Sequence, residues 1–231
     1  MSLADPTDPV GHVCRSDVPT VSRGQPSMSG RSRVARSLAV TGGVLFCTAM
    51  LPLVAHAHGF IGDGGPAAGL IHPLTGADHL LAMLTVGVLS AQLGGRAIWV
   101  VPTGFVTVMV IGGLLGAAGA RLPGAEVGVS ASVVALGLAV ALGRRMPLWI
   151  ATALAGVFGL YHGFAHGAEM PRVATPALYA LGFAATTAGL HVMGALSGLL
   201  VLCRPNGVTR LRWIGSAVGV AGIALLARSR I

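Results

Sequence analysis

The chain has 231 residues, of which 54% are hydrophobic and only 10% charged, against roughly a quarter charged in a soluble domain. The formal net charge of +8 comes from fifteen arginines and no lysine, placed in the N-terminal tail, in short gaps between apolar blocks and at the C-terminal end. No basic stripe with interleaved aromatics occurs, so nucleic acid is not an expected partner; apolar blocks of about 20 residues make this an all-α protein of the lipid bilayer.

In chain order, residues 1–36 are polar and rich in Pro, Ser and Gly, the composition of a disordered leader. Met28 is an alternative start, which would leave 1–27 untranslated. Arg31, Arg33 and Arg36 precede the apolar run Leu38 to Ala55 and an Ala55-His56-Ala57 site, so residues 37–57 read as a signal peptide; the competing reading is an uncleaved first helix. Cleavage would place His58 at the mature N-terminus, where its amine and imidazole could capture a metal ion. The remainder, 58–231, is expected to form a six-helix transmembrane domain with spans near 66–91, 97–118, 125–142, 147–168, 175–202 and 211–227. With the mature N-terminus outside, the inner loops hold Arg96, Arg144, Arg145, Arg204, Arg210 and Arg212, and the outer loops only Arg121 and Arg172. That asymmetry fits the positive-inside rule for a bacterial inner membrane. The glycine pattern Gly112-Gly113…Gly116 and Gly215…Gly219 implies close helix packing.

Ionisable side chains within a bilayer cost at least about 2.5–3.5 kcal/mol each on insertion scales, so each requires a reason. Span one carries His72, Asp78 and His79, span three opens with Glu126, and span four ends with His162, His166 and Glu169. In the topology above these all lie between the outer surface and mid-membrane. Imidazole and carboxylate together suit nickel, cobalt, copper or zinc. His162, His166 and Glu169 share a helix face, whereas the adjacent Asp78 and His79 would diverge on a regular helix. Pro73 and Gly76 should break that helix, as at many transporter sites. His191, alone in span five, reads as a hydrogen-bonded packing residue. Gly69-Leu70-Ile71-His72 matches Gly159-Leu160-Tyr161-His162 in oppositely directed spans, the trace that a 3+3 inverted repeat would leave.

The stretch His72-Pro73-Leu74-Thr75-Gly76-Ala77-Asp78-His79-Leu80-Leu81-Ala82-Met83, with the His166…Glu169 element, resembles the signature of the HupE/UreJ family of nickel permeases. The resemblance covers roughly residues 38–231. It implies secondary transport of nickel across the inner membrane to supply hydrogenase or urease maturation, with nickel as cargo and no permanently bound cofactor. It points to His72, Asp78, His79, Glu126, His166 and Glu169 as the functional polar set, and to Phe105 as a gate; from the residues alone Phe105 could equally be lipid-facing or packing. Nickel rather than cobalt, copper or zinc comes from the resemblance alone, and whether the chain forms a homo-oligomer is left open.

Other classes fit less well. No GxxxxGK[ST] loop occurs, so the chain does not power transport with ATP itself. An intramembrane serine protease needs Ser and His on facing helices, and Ser197 and His191 share one helix. A metal-dependent hydrolase is weakened because His162-Gly-Phe-Ala-His166 lacks the glutamate of HExxH. Haem ligation by paired histidines leaves the neighbouring carboxylates without a role.

Overall fold

A computed structural model describes residues 66–143, 146–170 and 176–229. The expected leader, signal peptide, His58 and the loop residues Arg144, Arg145 and Arg172 lie outside the described residues. Within them the chain is all-helical: α1 (Pro66–Thr75), α2 (Ala77–Leu93), α3 (Ala97–Ala117), α4 (Ala125–Leu142), α5 (Leu148–Ala168), α6 (Pro176–Leu202) and α7 (Gly207–Arg228). Five of these, α3 to α7, are long and apolar enough to cross a membrane, and α1 with α2 would make a sixth span bent by 89°.

The expected first span, 66–91, is therefore two helices. Pro73 lies in the last turn of α1, and Gly76 is extended (φ −94°, ψ 123°) before α2 starts. Proline weakens the turn by withdrawing an N–H, and Gly76 leaves room at the bend that a Cβ would take from His79 Nδ1 and Asp78 Oδ1, 2.8 and 2.9 Å from where it would stand. The other expected spans agree to within a residue or two, except that α7 begins at Gly207 rather than near 211. Asn206, in the left-handed region at φ 58°, turns the chain into α7.

Three helix pairs dominate the packing: α2 with α6, α3 with α5, and α4 with α7. Each is a glycine seam. A Cβ on Gly87 would strike the His191 carbonyl, one on Gly163 the Met109 carbonyl, and one on Gly215 the backbone of Ala141 and Gly137. Small residues bring the backbones together where lipid supplies no hydrophobic drive between helices. Phe105, Met83, Leu136 and Leu211 fill the interior. Leucines and valines cover the outside, and Trp99, Trp149 and Trp213 are 70–73% exposed. Their helices, α3, α5 and α7, all start from one end of the bundle, the end opposite the break at Gly76. Exposed tryptophans at one level mark a membrane interface.

Candidate metal site

The break between α1 and α2 sets the first part of the site. Asp78 sits in the first turn of α2, where its Oδ1 accepts the backbone N–H of His79 at 2.8 Å and lies 2.7 Å from His79 Nδ1. The two side chains, which would diverge in the middle of a regular helix, come together at this helix start. At a helix start the carboxylate folds back onto its neighbour's free amide, which brings it to the ring as well. The carboxylate holds the Nδ1 proton, leaving the lone pair on Nε2, which is buried without a partner.

Helix α5 supplies the second part. Its imidazoles, one turn apart, meet those of the broken helix edge-on or tilted: His166 is 4.7 Å from His72 and 4.3 Å from His79 between ring centroids, and His79 is 4.7 Å from His162. A cavity of about 170 Å³ opens above them, lined by His72, Asp78, His79, Glu126, His166 and Glu169 together with Thr75, Gly76 and Ala165. One nitrogen each from His72 and His166 and a carboxylate oxygen of Glu169 lie within 4.8 Å of one another. Ligands about 2.1 Å from one ion are at most about 4.2 Å apart. Side-chain shifts of under an ångström would therefore close this trio on a cation.

His162 lies below the cavity, fully buried. Its Nε2 is 2.9 Å from Ser132 Oγ, and that hydroxyl donates its one proton to the Val129 carbonyl at 2.5 Å. Ser132 can then only accept from His162, so Nε2 carries the ring proton and the lone pair rests on Nδ1. That Nδ1 has no partner, nor does either nitrogen of His166. The interior thus holds a run of imidazole lone pairs, each buried donor or acceptor costing about 1–3 kcal/mol when unmet.

Of the residues singled out from sequence, His72, Asp78, His79, Glu126, His166 and Glu169 meet at one cavity, and His162 lies directly beneath it. Phe105 does not line the cavity. It is fully buried, which removes the lipid-facing reading, and its ring is 5.6 Å from His162 and 5.0 Å from His191. His191 has the hydrogen bond expected of it, from Nδ1 to the Met83 carbonyl at 2.8 Å. Sequence reasoning missed Ser132, and also Tyr179 and Phe183, whose rings lie 6.2 and 6.4 Å from His72, with Phe183 4.3 Å from His166. The aromatic pair had a signal in its four-residue spacing on one helix. Ser132, a common small residue in a membrane helix, had none.

Comparison with known proteins bears directly on this arrangement. A family model described as HupE / UreJ protein matches residues 44–225. The chain belongs to the HupE/UreJ family. It is similar to Protein HupE of Rhizobium leguminosarum bv. viciae, at 43% identity over 176 residues, covering 76% of this chain and 92% of that relative. No solved structure matches. Every cavity and histidine position described above falls inside the segment that the family model covers.

Proposed function

We propose that this HupE/UreJ protein is a secondary permease for divalent nickel in the bacterial inner membrane, serving hydrogenase or urease maturation. The observation that carries the reading is the cavity in which His72, His166 and Glu169 offer donors to one ion, continued inward by the bare nitrogens of His79 and His162. A structural metal centre would be closed by its ligands; here the open cavity leads to further unfilled ones. The donor set does not separate nickel from cobalt, copper or zinc, and the choice of nickel rests on the family resemblance.

In this proposal α1 and α2 form the first of six spans and the cavity faces outward. The Arg-rich loops at the opposite end support that orientation. A 3+3 inverted repeat is supported by the packing. Exchanging spans one, two and three with four, five and six turns the α2–α6 pair into α5–α3 and maps α4–α7 onto itself. Gly69, packed on the Tyr179 carbonyl, becomes Gly159, packed on the Phe105 carbonyl. Two such halves rocking about the site would give alternating access.

An enzyme reading meets one relevant pair, Ser132 and His162, on facing helices within hydrogen-bond reach. Both are fully buried, and the hydroxyl proton points to Val129 rather than to the ring. A nucleophile needs the reverse arrangement, so transport is the better account. Expression in a nickel-transport-deficient bacterium should raise nickel accumulation at low external metal. Unchanged nickel with well-expressed protein would remove nickel, and unchanged cobalt, copper and zinc besides would remove the permease.

A further inference from the structure

Below the outer histidines, α6 carries two buried polar atoms without a partner, Thr187 Oγ1 and His191 Nε2. They are four residues apart and so share a helix face. His191 Nδ1 bonds to the Met83 carbonyl at 2.8 Å, and Met83 is four residues past His79, about 6 Å deeper along α2. A carbonyl can only accept, so Nδ1 is protonated and Nε2 presents its lone pair. This is how metal-binding histidines are usually held, one nitrogen anchored to a carbonyl or carboxylate and the other free. Packing accounts for the anchored nitrogen and leaves the other unexplained.

Thr187 departs from the habit of its neighbours. Membrane-helix threonines commonly return their hydroxyl to the carbonyl one turn back, as Thr85 does to Leu81 and Thr152 to Leu148. Thr187 is fully buried and makes no such bond. Phe105 links His191 to the outer histidines, its ring in contact with both His162 and His191.

Building on the transport reading, we propose that His191 and Thr187 form an inner station for the transported divalent cation, reached from His79 and His162 when the Phe105 ring swings aside. The station offers one imidazole nitrogen and one hydroxyl oxygen, the remaining positions being filled by water carried with the ion. Nothing in it touches the outer cavity, so loading and onward transfer are separable.

The test uses proteoliposomes of the full chain with Ni²⁺ as probe, reading initial uptake against external concentration. Thr187→Val keeps the shape and breaks no hydrogen bond, so its folding should match the parent's. His191→Gln retains a donor for the Met83 carbonyl. Both should cut maximal uptake by about fivefold or more while leaving the half-saturating concentration within about twofold. If His191→Gln fails to reach the membrane, Thr187→Val decides alone. Maximal uptake within about twofold of the parent in either folded variant overturns the station, as does a raised half-saturating concentration with an unchanged maximum, which would place the pair in outer loading. A parent protein that carries no Ni²⁺, Co²⁺, Cu²⁺ or Zn²⁺ overturns the transport reading itself, before any variant is compared.

Discussion

Asp78 and His79, neighbours in sequence, form a carboxylate–imidazole pair at 2.7 Å on the rim of the cavity, with side chains only 23% and 13% exposed. Asp78→Asn keeps the size and most of the hydrogen bonding but removes the charge that a bound cation would balance. Uptake should fall to background at matched membrane expression. Normal transport by this variant would show that the site is elsewhere.

His166 sits at the centre of the cluster, against His72, His79 and Phe183. Ligand bound only to the folded state stabilises it by about 2.7 kcal/mol at a hundredfold excess over Kd. Nickel should therefore raise the melting temperature of the purified parent by several degrees, and a chelator should reverse the shift. His166→Ala should abolish the shift, and Glu169→Gln should reduce it. A full shift in His166→Ala would exclude this cluster as the binding site.

Ser132 fixes which nitrogen of His162 is bare. Ser132→Ala removes the acceptor and leaves a buried N–H unmet, at a cost of about 1–3 kcal/mol. Uptake should drop several-fold with little loss of folded protein. Ser132→Thr retains a hydroxyl and should recover most of the rate. Equal activity in Ser132→Ala and the parent would show that the tautomer does not matter to transport.

The seam between α3 and α5 depends on bare backbone at Gly163. Gly163→Ala sets a methyl against the Met109 carbonyl, and overpacking typically costs about 1–3 kcal/mol. The variant should lose thermal stability in detergent by size-exclusion assay. Unaltered stability would mean that the two helices are free to separate.

Terminal sequencing of the purified protein should find a chain that begins near His58, as the Arg31-Arg33-Arg36 leader and the Ala55-His56-Ala57 site require. A chain retaining Leu38 to Ala55 would carry a seventh span, with the Arg leader inside, and require the topology to be redrawn.

The sequence exposed the helices because a bilayer imposes length and apolarity on every span, and these leave a periodicity-independent trace. It exposed the cavity residues for the related reason that His72, Asp78, Glu126 and Glu169 are expensive where they stand. The same logic failed for groups that cost little. Ser132 and Thr187 are unremarkable in a membrane helix until their partners, or lack of them, are visible. His191 looked isolated because its neighbours, Phe105 and Met83, come from other helices. The direction of the chain at Gly76 was legible as a disturbance, but an 89° turn, which sets His72 of α1 against the same cavity as Asp78 and His79 of α2, is a property of the folded backbone.

The break at Gly76 also brings helix ends, with their partial charges, to the cavity wall. The N-terminus of α2 meets it beside Asp78 and that of α4 beside Glu126, and the N-cap residue of each is a glycine with no side chain to offer. Each helix N-terminus is equivalent to roughly half a positive charge, which would repel a divalent cation. Asp78 and Glu126 both lie in those first turns, so each carboxylate must cancel its own helix before it can attract cargo. Neutralising either one thus turns a patch of wall from attractive to repulsive, a larger change than the loss of one donor atom.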